Sequence, residues 1–264
     1  MQLKIYQADA FASTVFTGNP AAVCPLEEWI DDSLMQKIAM ENNLSETAFY
    51  VKKNDQIEIR WMTPTTEVDL CGHATLAAAY VLFHFENYNE NIIRFYSPRS
   101  GVLIVKKEGE SISMNFPSDK PVQSAITDNI LKCFNIPPVS VLKGKTDLLL
   151  IYEKEEDIIN LIPDLSSIEK IKVRGIIVTA PGNQSDFVSR FFAPQSGVNE
   201  DPVTGSAHTT LTPYWSEILN KEELTAIQLS SRKGYLNCKN LNDRIEISGT
   251  AKLYLKGEIF IDEI

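Results

Sequence analysis

The apolar positions change period several times along the first hundred residues. Leu3-Lys4-Ile5-Tyr6-Gln7-Ala8 alternates as a half-buried strand does, and Thr17-Gly18-Asn19-Pro20 punctuates like a turn. Asp31-Asp32-Ser33 supplies N-cap candidates for a helix of about ten residues, with Leu34, Ile38 and Ala39 on one face. Residues 48–51 and 57–61 read as strands. Residues 74–85 are apolar nearly all round, which predicts a helix buried inside the fold and not one laid on its surface. Strand–turn–strand patterns return at 92–95, 102–106 and 111–116, and Phe116-Pro117-Ser118-Asp119-Lys120-Pro121 reads as a linker.

Beyond it the plan repeats. A strand is expected at 148–152, then a charged stretch, a short helix ending near Leu161, and strands at 175–179 and 186–192. A second buried helix opens at Ala207, with Pro213 expected to kink it or shorten its regular part. Strands at 224–230, 235–238, 244–248 and 252–261 close the chain.

The repetition extends to individual residues. Arg60-Trp61-Met62-Thr63-Pro64 leads into Gly72-His73-Ala74-Thr75, and Arg190-Phe191-Phe192-Ala193-Pro194 leads into Gly205-Ser206-Ala207-His208-Thr209. Ser97-Pro98-Arg99-Ser100-Gly101 is echoed by Ser230-Ser231-Arg232-Lys233-Gly234. A repeat of half the chain is far longer than the ~20–50 residues of a solenoid unit. It reads as two related domains, 1–117 and 118–264, of the α+β class, with the terminal strand a candidate to pack back on the first. Each presents a Gly-X turn at a helix N-terminus, and two such termini facing one cleft would hold a small anion.

Composition narrows the function. Apolar residues make up 44%, enough for a sizeable core, and a formal charge of −10 disfavours nucleic acid or an anionic membrane as partner. No run approaches the ~18 apolar residues of a membrane span, and Met1–Tyr6 lacks a signal pattern. Four cysteines without a Cys-x-x-Cys, and three scattered histidines, suggest neither a disulfide framework nor a metal site; the expected compartment is the cytoplasm.

Three stretches could carry chemistry. In Asp69-Leu70-Cys71-Gly72-His73, Gly72 lets a ligand approach the backbone and the helix N–H groups after it favour a carboxylate; alternatively this is a glycine turn with a capping histidine. In Glu200-Asp201-Pro202-Val203-Thr204-Gly205-Ser206, Asp201 is either a helix cap or a hydrogen-bonding acid at the site. In Asn43-Leu44-Ser45-Glu46-Thr47-Ala48-Phe49, Glu46 is either a surface glutamate on an edge strand or a partly buried carboxyl serving as a proton shuttle.

The strings Phe16-Thr17-Gly18-Asn19-Pro20-Ala21-Ala22-Val23, Asn43 to Phe49, Leu70 to Ala77 and Glu200 to His208 resemble the phenazine-biosynthesis isomerase (PhzF-like) family, in order and over essentially the whole chain. The resemblance implies a diaminopimelate-epimerase-like fold: two pseudo-symmetric domains, each a mixed sheet rolled around a central helix, with the site in a cleft between them. It implies a cofactor-independent isomerase that moves a proton on a small carboxylate-bearing metabolite, and a homodimer. Carried over by residue, Glu46 is the acid/base. His73 and Asp201 assist it, and Asn19, Ser45, Gly72, Gly205 and Ser206 bind substrate. No metal is implied. Related epimerases and racemases place a cysteine before the glycine in both halves. Here Cys71 is matched by Thr204, whose hydroxyl is too weakly acidic to pair with a thiolate. Cys71 is therefore read as a small buried apolar residue. A cysteine–threonine dehydratase or epimerase of the same fold is one alternative. The other is a non-catalytic metabolite-binding protein, whose sign would be Glu46 turned to solvent or held in a structural ion pair.

Overall fold

The computed structural model describes residues 1–53 and 56–262. The chain forms two compact units, Met1–Asn115 with the C-terminal stretch from Ser248, and Phe116–Ile247. Among the described residues no helix is long and apolar enough to cross a membrane.

The first unit contains strands β1 (Gln2–Ala10), β2 (Asn19–Leu26), β3 (Glu46–Lys53), β4 (Gln56–Met62), β5 (Glu67–Val68), β6 (Ile92–Ser97), β7 (Gly101–Glu108) and β8 (Ser111–Pro117). Its helices are α1 (Asp32–Asn42) and α2 (Gly72–Phe85). The C-terminal strand, Ala251–Phe260, lies antiparallel to β1 along its whole length. Strands β2 and β3 run parallel, β3 and β4 antiparallel, β4 and β6 parallel, β6 and β7 antiparallel. α2 packs on β1, β2 and β3. Ala74, Leu76, Ala77, Ala78, Ala79, Val81 and Leu82 are all fully buried on it. Its alanines let the strands approach closely from several sides. Enlarging Ala78 would overpack the core at a cost of about 1–3 kcal/mol. α1 covers the other face through Met35, Ile38 and Ala39, against Ile5, Ala22, Cys24 and Phe49.

The second unit repeats the order. Its strands are β9 (Val122–Ser124), β10 (Ser140–Lys143), β11 (Asp147–Ile151), β12 (Gly175–Pro181), β13 (Phe187–Phe192), β14 (Glu223–Gln228), β15 (Gly234–Asn240) and β16 (Arg244–Gly249). Its helices are α3 (Asp128–Leu131), α4 (Glu155–Ile159), α5 (Leu165–Ile168) and α6 (Gly205–Leu219). Strands β11 and β12 are parallel, β12 and β13 antiparallel, β13 and β14 parallel, β14 and β15 antiparallel. That is the β2–β3–β4–β6–β7 series again, with the buried helix inserted at the same step. Each unit is thus a mixed sheet rolled around one central helix, the diaminopimelate-epimerase type of fold.

Two sequence expectations differ in detail. Asn19 and Pro20 open β2 and are not turn residues; the reversal falls earlier, where Phe16 and Gly18 have φ of 72° and 70°. Of the kink or shortening expected at Pro213, the shortening does not occur, for α6 runs through it. Proline there removes the N–H that would bond the Thr209 carbonyl. The Asp119 N–H donates to that oxygen instead, at 3.1 Å. The Asp119 carboxylate also accepts from the Thr210 hydroxyl at 2.9 Å and from the Lys145 N–H at 3.0 Å, so the linker is fastened where the proline left a vacancy.

Candidate active site

Parallel pairing places the starts of β2 and β3 at one end of the first sheet, with Ala21 opposite Glu46. α2 begins at that end, after Cys71, whose extended backbone (φ −137°, ψ 110°) makes it the N-cap. Four side chains meet as a result. His73 Nε2 lies 3.0 Å from Glu46 Oε2, and its Nδ1 lies 3.2 Å from Asn19 Nδ2. Cys71 Sγ is 3.5 Å from Nδ1 and 3.9 Å from Nε2. Ser45 and Gly72 adjoin them in the chain.

The Glu46 side chain is 16% exposed and that of His73 only 7%. Among the described residues no donor is aligned with the buried Glu46 Oε2, and its 3.0 Å approach to His73 is an ion-pair contact. Burial opposes a charge on His73; with the Cys71 thiol protonated, the neighbour that raises the imidazole above its ordinary value is Glu46. Burial and the Glu46 charge push the Cys71 thiol up to about 11, so it is protonated near neutrality. With Asn19 donating, Nδ1 is the acceptor and the proton sits on Nε2. A second proton on Nδ1 calls for the Asn19 amide to present its oxygen.

In the second unit the Thr204 hydroxyl donates to Asp201 Oδ2 at 2.6 Å. Gln228, fully buried, ties this pair down. Its Oε1 accepts from the Thr204 N–H at 2.8 Å, and its Nε2 donates to the Asp201 carbonyl at 2.8 Å and the Thr204 hydroxyl at 3.1 Å. The α6 N-cap is Thr204, not Asp201. Gly205 and Ser206 open the helix; the Ser206 hydroxyl accepts from Arg174 Nη1 at 2.9 Å, while Arg174 also pairs with the buried Asp147. His208 is buried and donates from Nδ1 to the Thr204 carbonyl at 2.9 Å, and burial takes it down to about 4. Its counterpart in the first copy, Thr75, bonds the Cys71 carbonyl at 2.6 Å in the same way.

The repeated arginines explain how these helix starts are held. Arg60 grips Glu67 with two bonds of 2.8 and 2.9 Å, and Arg190 grips Glu200 with two of 2.7 and 3.0 Å. Both glutamates lie on the segment leading to the helix, and bidentate charge-assisted pairs fix orientation as well as adding energy. The repeated serine turns brace the same segments, Ser100 to the Asp69 carbonyl and Ser230 to the Pro202 carbonyl.

Reading the sequence brings out Asn19, Glu46, His73, Asp201 and Ser206 but misses Gln228, whose only signal is a polar residue in an apolar strand. It also misses that Cys71 joins His73 and Glu46. These three present donor atoms all within 4.8 Å of one another. A groove of about 360 Å³ on the α1 face, lined by Ile5, Gln7, Asn42 and Leu255 among others, contains none of these residues.

The PhzC-PhzF family, phenazine biosynthesis-like protein, matches residues 8–257. An uncharacterized isomerase of Pseudomonas aeruginosa is 49% identical, over 99% of this chain and all of its own. The crystal structure of a PhzF-family phenazine biosynthesis protein from Enterococcus faecalis is 45% identical with a TM-score of 0.96, covering 99% of this chain and 100% of that one. A hydroxyproline epimerase from Agrobacterium vitis, at 7% identity and a TM-score of 0.62 over 99% of this chain and 93% of its own, shares the fold.

Proposed function

The chain belongs to the phenazine biosynthesis-like (PhzC-PhzF) family of isomerases, and on that premise we propose that it moves a proton on a small carboxylate-bearing metabolite without a cofactor, using Glu46 as acid and base. The carrying observation is Glu46 itself: a mostly buried carboxylate at the N-terminus of α2, with Oε2 3.0 Å from His73 and, among the described residues, no donor aligned with it. A carboxylate so placed takes a proton from a substrate carbon, becomes the neutral acid, and returns the proton at another carbon. No electron is gained or lost, so no redox partner is called for. The N–H groups opening α2 suit the substrate carboxylate, and negative charge developing beside it meets the His73 Nε2 proton. Asp201 is assigned to a substrate heteroatom, on its motif and on the rigid mooring by Thr204 and Gln228. The homodimer is likewise proposed from the family resemblance.

A purely structural pair would also bring His73 to Glu46. Among the described residues, however, Oε2 has no aligned donor beside that contact, which leaves it open to a substrate proton. The thiol alternative finds little support: Cys71 holds its proton to about pH 11, and the Thr204 hydroxyl is committed to Asp201. The test is a screen of cyclic and amino-acid carboxylates for carbon–hydrogen exchange in deuterated water, with wild type beside Glu46→Gln. Exchange by the wild type alone is expected. Equal exchange by the variant would remove Glu46 from the chemistry.

A further inference from the structure

We propose that Glu46, Cys71 and His73 form a zinc-binding site, and that a bound zinc ion shuts the isomerase off by coordinating the Glu46 carboxylate. One thiol, one imidazole and one carboxylate are three protein ligands of the kinds zinc takes where a fourth position stays open. With bonds of roughly 2.3 Å to sulfur and 2.0–2.1 Å to nitrogen and oxygen, tetrahedral neighbours lie about 3.3–3.6 Å apart. Here Oε2 and Nε2 are 3.0 Å apart, Sγ and Nε2 are 3.9 Å apart, and all three donors fall within 4.8 Å. Small side-chain rotations close the difference.

The surroundings fit as well. Zinc on Nε2 moves the remaining imidazole proton to Nδ1, where Asn19 lies at 3.2 Å and can offer its amide oxygen, the sort of outer partner that orients a metal-bound histidine. Cys71 and His73 are almost entirely buried, so water competes poorly, while the partly exposed Glu46 gives a way in. A coordinated thiol is deprotonated outright. One zinc ion, one carboxylate, one thiol and one imidazole thus give a complex of no net charge and release a proton, plus a second if His73 begins charged. That neutrality suits a buried place. Binding stands on the geometry alone; shut-off rests on the reading of Glu46 as the acid/base.

The probes are Zn²⁺ and, as a coloured reporter, Co²⁺, added to the full chain. One Co²⁺ per chain with a thiolate-to-cobalt charge-transfer band, displaced by Zn²⁺, is expected. Cys71→Ser should abolish the band, and His73→Ala should weaken binding at least ~10-fold; circular dichroism confirms that both fold. Absence of the band in wild type, or unchanged zinc affinity in folded Cys71→Ser, overturns the site. In the exchange assay, stoichiometric Zn²⁺ should stop turnover and a chelator restore it; full turnover with zinc bound refutes the shut-off. A normally active Glu46→Gln, with the cobalt band present in the wild type, would sink the acid/base reading and leave the metal site standing. An inactive Glu46→Gln, with no band in the wild type, would do the reverse.

Discussion

His208 makes stability at acid pH a measurable consequence of one buried ring. It sits without solvent exposure at the start of α6, Nδ1 bonded to Thr204 and Nε2 without a partner among the described residues, and burial lowers it from 6.5 to about 4. A depressed folded value means that the unfolded chain takes the proton first as pH falls. The stability His208 contributes is complete above about pH 6.5 and drains away until about pH 4. At ~1.36 kcal/mol per unit, the loss is about 2 kcal/mol by pH 5 and about 3 kcal/mol in full. Against a total of ~5–15 kcal/mol for a domain, this is large. Other groups titrate in the same range, so the comparison must cancel them. His208→Thr does so: the repeat shows at Thr75 that a hydroxyl can bond the same carbonyl, and threonine has no proton to gain. The assay is urea unfolding of both proteins at intervals from pH 7.5 to pH 5. The variant carries a fixed packing cost, but its deficit should shrink by about 2 kcal/mol on acidification. A deficit that stays constant with pH would refute the reasoning, because a ring neutral and buried in the folded state cannot leave the curve unmoved.

Glu46→Gln should fold normally and lose at least ~10²-fold in turnover on any substrate the exchange screen yields; steady-state kinetics decides it. Asp201→Asn and His73→Ala should each lose much of the activity, and a fully active Asp201→Asn would detach that residue from the site. Arg190→Ala leaves Glu200 and the Ile158 and Leu161 carbonyls without their donor and should cost about 3–5 kcal/mol by denaturant titration; a loss under ~1 kcal/mol would show that the pair does not hold the segment. Gly18→Ala should destabilise by well over ~1 kcal/mol, since φ is 70° and a Cβ would stand 2.2 Å from the Ala10 carbonyl oxygen; unchanged stability would mean the turn relaxes freely.

The architecture was legible because its signals are long and occur twice. The all-round apolar run before Phe85 admits no surface position, and Arg60 with Arg190 marks equivalent strands before equivalent helices. Short elements escaped: β9 and β10 have three and four residues, too few for a period, and α3 and α5 have four each. β2 was hidden by its own Asn-Pro, which reads locally as a turn but enters as a strand beside β1. At the site, the family resemblance pointed to Glu46 and His73 but not to the thiol beside them. Residues two apart on a helix diverge, yet Cys71 lies outside the helix in extended conformation, and that turns its sulfur toward His73. The Gln228 network depends on pairing across β14 and the α6 approach, which only the fold supplies.

A proline inside a helix normally counts as damage, but Pro213 gives α6 an address. The one carbonyl it strips of its partner is the one the Asp119 N–H finds, so helix and incoming chain recognise each other at a single position. Slide α6 by a turn and the bare oxygen would face no donor, while Asp119 would lose Thr210 as well. The segment between Phe116 and Pro121 is therefore not a tether that tolerates cutting or lengthening like an ordinary connection. It is made before the helix during synthesis, and α6 becomes fully bonded only by closing onto it. A circular permutant opened between Ser118 and Lys120 would put Asp119 on a free chain end and so loosen its hold on the Thr209 carbonyl.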